Sequence, residues 1–142
     1  MEIVKYPTKS LFEKSVKIEE ITNDIKNLAL EMLDFKKKLS WGNPVGLAAP
    51  QIGKNIRLFI WFDKVIINPE VVHKSKQENY YKEGCYSLEE NKFDYAIWRP
   101  QSIRVKYQDI EGKIYEEKLN GFKAQVFLHE FDHLEGKLCC GE

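Results

Sequence analysis

The sequence predicts an α+β fold, with antiparallel or mixed strands packed around a C-terminal helix and an amphipathic helix near the N-terminus. Three observations predict it: an apolar stripe with helical spacing in the first third, short β-branched and aromatic segments in the middle, and a second helical pattern near the end. Strands that cluster between helices, without regular β-α alternation, favour an antiparallel or mixed sheet. With 142 residues, the chain is expected to form one domain, 1–142.

The N-terminal helix is predicted from about Val16 to about Lys38. Apolar residues recur there at alternating steps of three and four, which places them on one face for burial in the core. These residues are Ile18, Ile21, Ile25, Leu28, Met32 and Phe35. The run Lys36-Lys37-Lys38 suits the negative end of the helix dipole and is expected to be solvated. Gly42 and Pro44 then break the helix.

Several short strands are predicted in the middle of the chain, at 57–62, at 65–67, after Pro69 and around Tyr80. In the segment 103–107, apolar and basic residues alternate, as they do in a half-buried strand. A turn at 109–112 is expected to return the chain through 113–119, which makes a hairpin. The final helix is predicted from about Phe122 to about Leu134, with Gly136 as its stop.

Composition and charge exclude several classes of function. Hydrophobic residues make up 43% and aromatic residues 13% of the chain, which suits a folded globule. Because 22 basic residues balance 22 acidic ones, no overall field would attract nucleic acid or an anionic membrane. No apolar stretch is long enough to span a bilayer, and the N-terminus lacks the core of a signal peptide. Three cysteines without a disulfide-framework spacing favour a reducing compartment, so a cytoplasmic location is expected.

The segment His129-Glu130-Phe131-Asp132-His133 carries the strongest chemical signal. Positions i and i+4 of an α-helix share one face, so both imidazoles can reach a single divalent metal. Glu130 can then hold a water on that metal and accept its proton. A catalytic metal site usually has three protein ligands and one open position. Nothing just after His133 suits the third ligand, which leaves Cys85, beside Gly84, as the strong candidate.

Three segments of the chain, in this order, closely resemble the signature segments of peptide deformylases. They are Gly46-Leu47-Ala48-Ala49-Pro50-Gln51, Glu83-Gly84-Cys85-Tyr86-Ser87 and His129-Glu130-Phe131-Asp132-His133. The resemblance implies Cys85, His129 and His133 as ligands of a divalent metal, natively Fe²⁺, which Zn²⁺, Ni²⁺ or Co²⁺ can replace. It implies Glu130 as the general base, with Gln51 and the backbone N–H of Tyr86 as donors to the formyl oxygen.

The same resemblance implies an activity and a set of substrate contacts. The expected reaction removes the formyl group from formylmethionine at the N-terminus of nascent peptides and releases formate. Gly46 is expected to lie beside the substrate backbone. Val45, Phe122 and Val126 are expected to line the pocket for the methionine side chain. Glu83 and Arg99 are expected to form an ion pair that braces the Cys85 loop.

The chain departs from the family pattern at four places. Pro44 stands where the family usually has glycine, Tyr86 replaces a leucine, and the stretch 88–95 is longer and more acidic. The chain also stops at Glu142, without the C-terminal helix that bacterial members dock on the ribosome, so ribosome association is not expected. This short, C-terminally truncated form suits a phage or another mobile genome. The expectation is a monomer in the bacterial or host cytoplasm, without nucleic acid or membrane partners.

Two other functions remain open from the sequence. The first is an HExxH metallopeptidase, which would cleave internal or unformylated peptides and would need a carboxylate or a third histidine as ligand. The second is an inactive homologue that keeps the metal as a structural staple or binds formyl peptides without hydrolysing them. Pro44 and Tyr86 favour this inactive form, whereas the intact Glu130 and Gln51 weigh against it.

Overall fold

The structure is a computed structural model that describes residues 1–39, 45–84, 87 and 95–139. Within these ranges the elements run in the order helix, strands, helix, and the predicted α+β class is confirmed. The helices are α1 (Asn23–Lys37) and α2 (Gly121–Leu134). The strands are β1 (Gly46–Ala48), β2 (Leu58–Trp61), β3 (Lys64–Lys74), β4 (Glu78–Glu83), β5 (Tyr95–Pro100), β6 (Ser102–Gln108) and β7 (Ile114–Asn120). Short 3-10 turns cover Lys9–Phe12 and Ala49–Ile52.

The strands form two antiparallel sheets. The larger sheet has the order β1-β2-β3-β6-β7, so β1 lies at one edge, and the smaller sheet pairs β4 with β5. The predicted hairpin is present as β6 and β7, and its turn is closed by a hydrogen bond from Asp109 N to Lys113 O. The alternation predicted for 103–107 is also confirmed, because Ile103, Val105 and Tyr107 are all buried.

The larger sheet lies between the two helices, and strand β2 shows why. All four of its residues are buried, as expected for a strand covered on both faces. Phe59 and Trp61 pack in the cluster that contains α2, whereas Leu58 and Ile60 pack in the cluster that contains α1. Successive side chains of a strand point to opposite faces, which produces this division. Helix α2 is therefore held against one face of the sheet.

Helix α1 begins later than the sequence predicts. The side chain of Thr22 accepts a hydrogen bond from Ile25 N, which caps the helix at that point. The preceding residues are extended: Val16 forms a parallel bridge with Ile56, and both backbone groups of Ile18 bond to the side chain of Asn68. Ile18 is buried as its spacing suggested, but its hydrogen bonds to the Asn68 side chain hold it outside the helix.

Strand β3 continues through Asn68-Pro69, where the sequence predicted a break. Its register with β6 shifts between Ile67 and Glu70, which marks a bulge. Asn68 adopts a φ of 50°, and its amide nitrogen donates to Gln108 at 3.0 Å. Because bulges absorb an irregular residue without ending the pairing, the two predicted segments are one strand. Strands β1 and β5 were not predicted from the sequence.

The end of α1 differs from the solvated basic run that the sequence predicted. Lys37 and Lys38 are exposed, but the side chain of Lys36 is only 1% exposed. Its ammonium nitrogen lies 4.0 Å from Asp63 Oδ1. Burial lowers the pKa of Lys36, against the opposing effect of the Asp63 and Glu130 carboxylates. No helix within the described ranges is long and apolar enough to cross a membrane.

Candidate metal centre and active site

Helix α2 carries the HExxH segment, and its packing fixes where that segment lies. Phe127 packs edge-on against Phe59, with ring centroids 5.1 Å apart. The helix ends at Leu134, and Gly136 is its stop as predicted, with a φ of 76° that favours glycine. Lys137 N donates to Asp132 O and Gly136 N donates to His133 O, which together form a Schellman motif. A side chain at Gly136 would also collide with the backbone of Phe12, so this stop anchors the end of α2.

The two histidines of the segment are neighbours on one face of α2. Their ring centroids lie 5.1 Å apart, with the ring planes at 80°. His133 is 1% exposed, and neither of its ring nitrogens has a hydrogen-bond partner in the part of the chain that the structure describes. A buried polar atom without a partner is costly, and a metal ion on one nitrogen would remove that cost. This site therefore fits a metal with nitrogen ligands.

His129 is held in one orientation by a carboxylate. Its Nδ1 lies 2.8 Å from Glu83 Oε1, which makes Nδ1 the protonated nitrogen and leaves Nε2 to bind a metal. Glu83 also forms a two-point ion pair with Arg99, with both N···O distances at 2.7 Å. Burial alone would raise the pKa of Glu83, but hydrogen bonds from Arg99 and His129, with their charges, lower it to about 2. Glu83 is thus ionised and orients the His129 ring.

Arg99 connects the smaller sheet to α2. Besides Glu83, it donates to Asp132 Oδ2 at 3.0 Å. Burial alone would lower the pKa of Arg99, but the hydrogen bonds and charges of Glu83 and Asp132 raise it above its usual value. Asp132 of the HExxH segment therefore ties α2 to β5.

Glu130 follows His129 on α2, and its side chain lies against strand β1. It is 3% exposed, and its carboxylate contacts Gly46. A Cβ atom added at Gly46 would lie 2.7 Å from Cδ and 2.8 Å from Cγ of Glu130, closer than real contacts allow. Only glycine leaves room for the carboxylate at this position. The structure therefore brings together Gly46 and Glu130, which the sequence placed in separate signature segments.

Gln51 follows β1 in the 3-10 turn Ala49–Ile52, where its side chain is buried. Its Oε1 accepts a hydrogen bond from Ala48 N at 2.9 Å, and its Nε2 donates to Ser87 Oγ at 3.4 Å. Because a backbone N–H occupies the oxygen, the amide nitrogen must be the end that can donate to a further group. Gln51 is thus fixed as a hydrogen-bond donor.

The residues expected to hold the substrate side chain differ in exposure. Val126 is buried in the core beneath the sheet, whereas Val45 and Phe122 are exposed. Phe62 lies between these two, because its N donates to Val45 O and its ring lies 6.0 Å from the Phe122 ring. No sequence pattern indicated Phe62 as a site residue, because it occupies the turn between β2 and β3.

Of the positions that the sequence singled out, those within 40–44, 85–86, 88–94 and 140–142 lie outside the described residues, and three of them bear on the site. They are Cys85, the expected sulfur ligand, Tyr86, the expected backbone donor, and Pro44. Their roles stay predictions.

Cys139 places a sulfur near His129. It is buried, and its sulfur lies within 4.8 Å of ligand atoms of Glu83 and His129, so these three residues form a possible metal-binding group. However, both Glu83 oxygens accept hydrogen bonds from Arg99, and Oε1 is also bonded to His129. Both carboxylate oxygens of Glu83 are therefore already engaged by other contacts.

Fold and site together define a class: an α+β protein whose C-terminal helix carries two neighbouring histidines of an HExxH segment, with a glutamate packed against an edge strand. The chain belongs to the polypeptide deformylase family, whose model matches residues 1–142.

The comparisons with individual proteins agree with this family. A chloroplastic peptide deformylase 1B of Solanum lycopersicum is 36% identical over 147 residues, covering 97% of this chain and 51% of that protein. A peptide deformylase of Afipia carboxidovorans is 36% identical, covering 96% of this chain and 82% of that protein. The crystal structure of a peptide deformylase from Thermotoga maritima superposes with a TM-score of 0.89 at 33% identity, covering 96% of this chain and 92% of that chain. The chain spans about half the length of the two chloroplastic relatives.

Proposed function

We propose that this protein is a metal-dependent hydrolase that removes the formyl group from N-terminal formylmethionine of nascent peptides and releases formate. The observation that carries the proposal is the contact between Glu130 of the HExxH helix and Gly46 of the edge strand. It places a buried carboxylate beside a strand edge that can hold an extended peptide. Membership of the deformylase family supports the same reaction.

The residues proposed to hold the metal are Cys85, His129 and His133. Fe²⁺ is the proposed native ion, with Zn²⁺, Ni²⁺ or Co²⁺ as substitutes. When bound, such an ion supplies Lewis acidity to the attacking water and to the formyl oxygen. Glu83 contributes by holding Nδ1 of His129, so that Nε2 is the nitrogen offered to the ion.

Glu130 is proposed to move the proton. Its carboxylate accepts a proton from the attacking water while the water oxygen bonds to the formyl carbon. Glu130 then passes that proton to the methionine nitrogen as the bond between this nitrogen and the formyl carbon breaks. The products are formate and a peptide with a free amino terminus. Burial of Glu130 keeps bulk water away from this transfer.

Gln51 is proposed to stabilise the charge that develops on the formyl oxygen. Its Nε2 is fixed as a donor because its Oε1 is held by Ala48 N. The backbone N–H of Tyr86 is the second proposed donor. Loss of one such donor typically costs on the order of 10²–10³ in kcat, so each is a substantial part of catalysis.

The free edge of β1 is proposed to bind the substrate backbone. Val45 O accepts a hydrogen bond from Phe62 N, so in the register with β2 the backbone groups of Gly46 point away from the sheet. An extended peptide can add to such an edge as a further strand. Its first side chain would then contact Val45 and Val126, and Val126 lies one helical turn, about 6 Å, before Glu130. Phe122 is proposed to stand at the rim of this pocket.

The competing metallopeptidase function requires a carboxylate or third histidine as ligand. Glu83 is the carboxylate that lies beside His129, but both of its oxygens accept hydrogen bonds from Arg99. Within the described residues, this disfavours the metallopeptidase.

Several expectations remain predictions. They are a monomeric state, a cytoplasmic location, and the absence of ribosome, membrane and nucleic acid partners.

The test is release of formate from formyl-Met-Ala-Ser by protein reconstituted anaerobically with Fe²⁺ or Ni²⁺. We expect turnover with the formylated peptide and none with acetyl-Met-Ala-Ser or with internal peptide bonds. A folded, metal-loaded protein that releases no formate from several formylated peptides would overturn the proposal. Cleavage of internal bonds instead would establish the metallopeptidase.

A further inference from the structure

Gln125 is a polar residue of α2 that the proposed reaction does not use. It lies one helical turn before His129, and its Nε2 donates to Glu83 Oε2 at 3.1 Å. Residues four apart on a helix share one face, so Gln125 and His129 can bond to the same carboxylate. The sequence alone gave no role to this residue, because Glu83 is 42 positions away.

The hydrogen bonds of Glu83 show what Gln125 adds. An ionised carboxylate offers about four acceptor positions on its two oxygens. In Glu83, Oε1 contacts Arg99 Nη2 and His129 Nδ1, and Oε2 contacts Arg99 Nε and Gln125 Nε2. Each oxygen therefore has one bond to β5 and one bond to α2. This symmetric set fills the acceptor capacity of the carboxylate.

Removal of Gln125 would leave this set incomplete on the α2 side. The side chain of Glu83 is only 5% exposed, so water reaches it poorly as a replacement donor. The carboxylate would keep Arg99 and His129 as partners but lose the bond from α2 to Oε2, so its plane could turn and move Oε1 away from His129. The imidazole of His129 would lose the contact that selects its tautomer and its ring angle.

We propose that Gln125 is a positioning residue for the metal centre, acting through Glu83 on His129. The inference rests on the proposed function insofar as it takes His129 as a metal ligand. A glutamine suits this position because it donates a hydrogen bond without adding a charge to the cluster of Glu83, Arg99 and Asp132. Loss of this hydrogen bond is expected to change the geometry and the affinity of metal binding more than it changes the stability of the fold.

The experiment measures Co²⁺ binding, which needs no turnover. Gln125→Leu and the nearly isosteric Gln125→Glu both remove the donor, whereas Gln125→Lys restores one. We expect the two donor-less variants to bind Co²⁺ about 10–100-fold more weakly in an anaerobic chelator competition, the usual cost of losing such a supporting contact. Their Co²⁺ absorption bands should shift, and Gln125→Lys should recover part of the affinity, because it restores a donor but adds a charge.

Gln101→Leu is the matched control, because it makes the same chemical change at an exposed position between β5 and β6. The thermal unfolding of each metal-free variant should match that of the parent protein. Parental affinity and spectrum in Gln125→Leu would overturn the inference. So would equal weakening in Gln101→Leu, or a loss of metal-free stability that accounts for the weaker binding. A protein that shows the Gln125 dependence yet releases no formate would refute the proposed function alone.

Discussion

Two groups of polar residues around helix α2 differ in how they are used. In the first group, towards the smaller sheet, Glu83 and Arg99 are buried and bonded to each other, to Gln125, to His129 and to Asp132. In the second group, which also includes Glu130 and its neighbour Gly46, His133 keeps both ring nitrogens without hydrogen-bond partners in the described chain, and Gln51 presents a fixed amide nitrogen. The first group, the supporting side, holds His129 in place, and the second, the reacting side, offers positions that a ligand could fill.

This difference follows from the cost of burying polar groups. A supporting group is useful only when it cannot move, and complete hydrogen bonding achieves this in a buried cluster. A reacting group must keep free donor or acceptor positions, and it can do so because a ligand satisfies them. The comparison predicts that changes on the reacting side reduce turnover, whereas changes on the supporting side reduce metal affinity, and also reduce stability where they leave a buried charge uncompensated.

The largest effect is expected from Glu130→Gln. The amide cannot accept the proton of the attacking water, and general base catalysis is worth roughly 10²–10⁴-fold. We expect kcat for formyl-Met-Ala-Ser to fall by that factor while Co²⁺ affinity stays close to that of the parent. Steady-state kinetics and chelator competition on the same preparation measure both. A Glu130→Gln variant with parental turnover would place the base elsewhere.

The next effect concerns the supporting side. Arg99→Leu would leave Glu83 buried with its charge uncompensated, which typically costs about 3–5 kcal/mol. We expect the free energy of unfolding of the metal-free protein, measured in urea, to fall within that range. Arg104→Leu is the control, since it removes an exposed arginine from β6. If the two variants lose equal stability, the Glu83–Arg99 pair is not the brace that the contacts indicate.

A smaller effect is expected from Gly46→Ala, on the reacting side. The added methyl would overlap the Glu130 carboxylate and displace it. A displacement of about 1 Å can cost on the order of 10² in rate, so we expect roughly that loss in kcat/KM. Gly112→Ala provides a contrast, because that glycine lies in the β6–β7 turn away from the site. It should lower stability without a matching loss of turnover in the folded fraction.

The smallest effect is a dependence of stability on acid. The Glu83 pKa is lowered to about 2 from its ordinary 4.5, so its carboxylate contributes its full stabilisation above about pH 4.5. This contribution is lost as the pH falls from about 4.5 towards about 2. The difference in urea stability between the parent and Glu83→Gln, both metal-free, should therefore shrink between pH 5 and pH 3. A constant difference across these values would show that Glu83 does not titrate there.

The sequence predicts the parts of this site that depend on local spacing. His129 and His133 are four residues apart on a helix, so their shared face follows from helix geometry alone. The hairpin at 109–112 and the stop at Gly136 follow from turn chemistry in the same way. These features need no knowledge of distant parts of the chain.

The features that the sequence missed depend on distant neighbours. Gln125 gains its role from Glu83, and Lys36 is buried although it belongs to a basic run. Asn68 continues β3 because its side chain bonds to Ile18 and Gln108, 50 and 40 positions away. Patterns of polarity and spacing do not predict such contacts, because each contact forms only when the fold brings two separate segments together.

The proposed metal ligands can be tested directly by X-ray absorption of the Zn²⁺-loaded protein. The comparison of the two sides of α2 predicts one sulfur at about 2.3 Å and two nitrogens at about 2.0–2.1 Å. The sulfur should disappear in Cys85→Ser and remain in Cys139→Ser. A sulfur that remains in Cys85→Ser and disappears in Cys139→Ser would contradict this, because the metal would then lie with Glu83 on the supporting side.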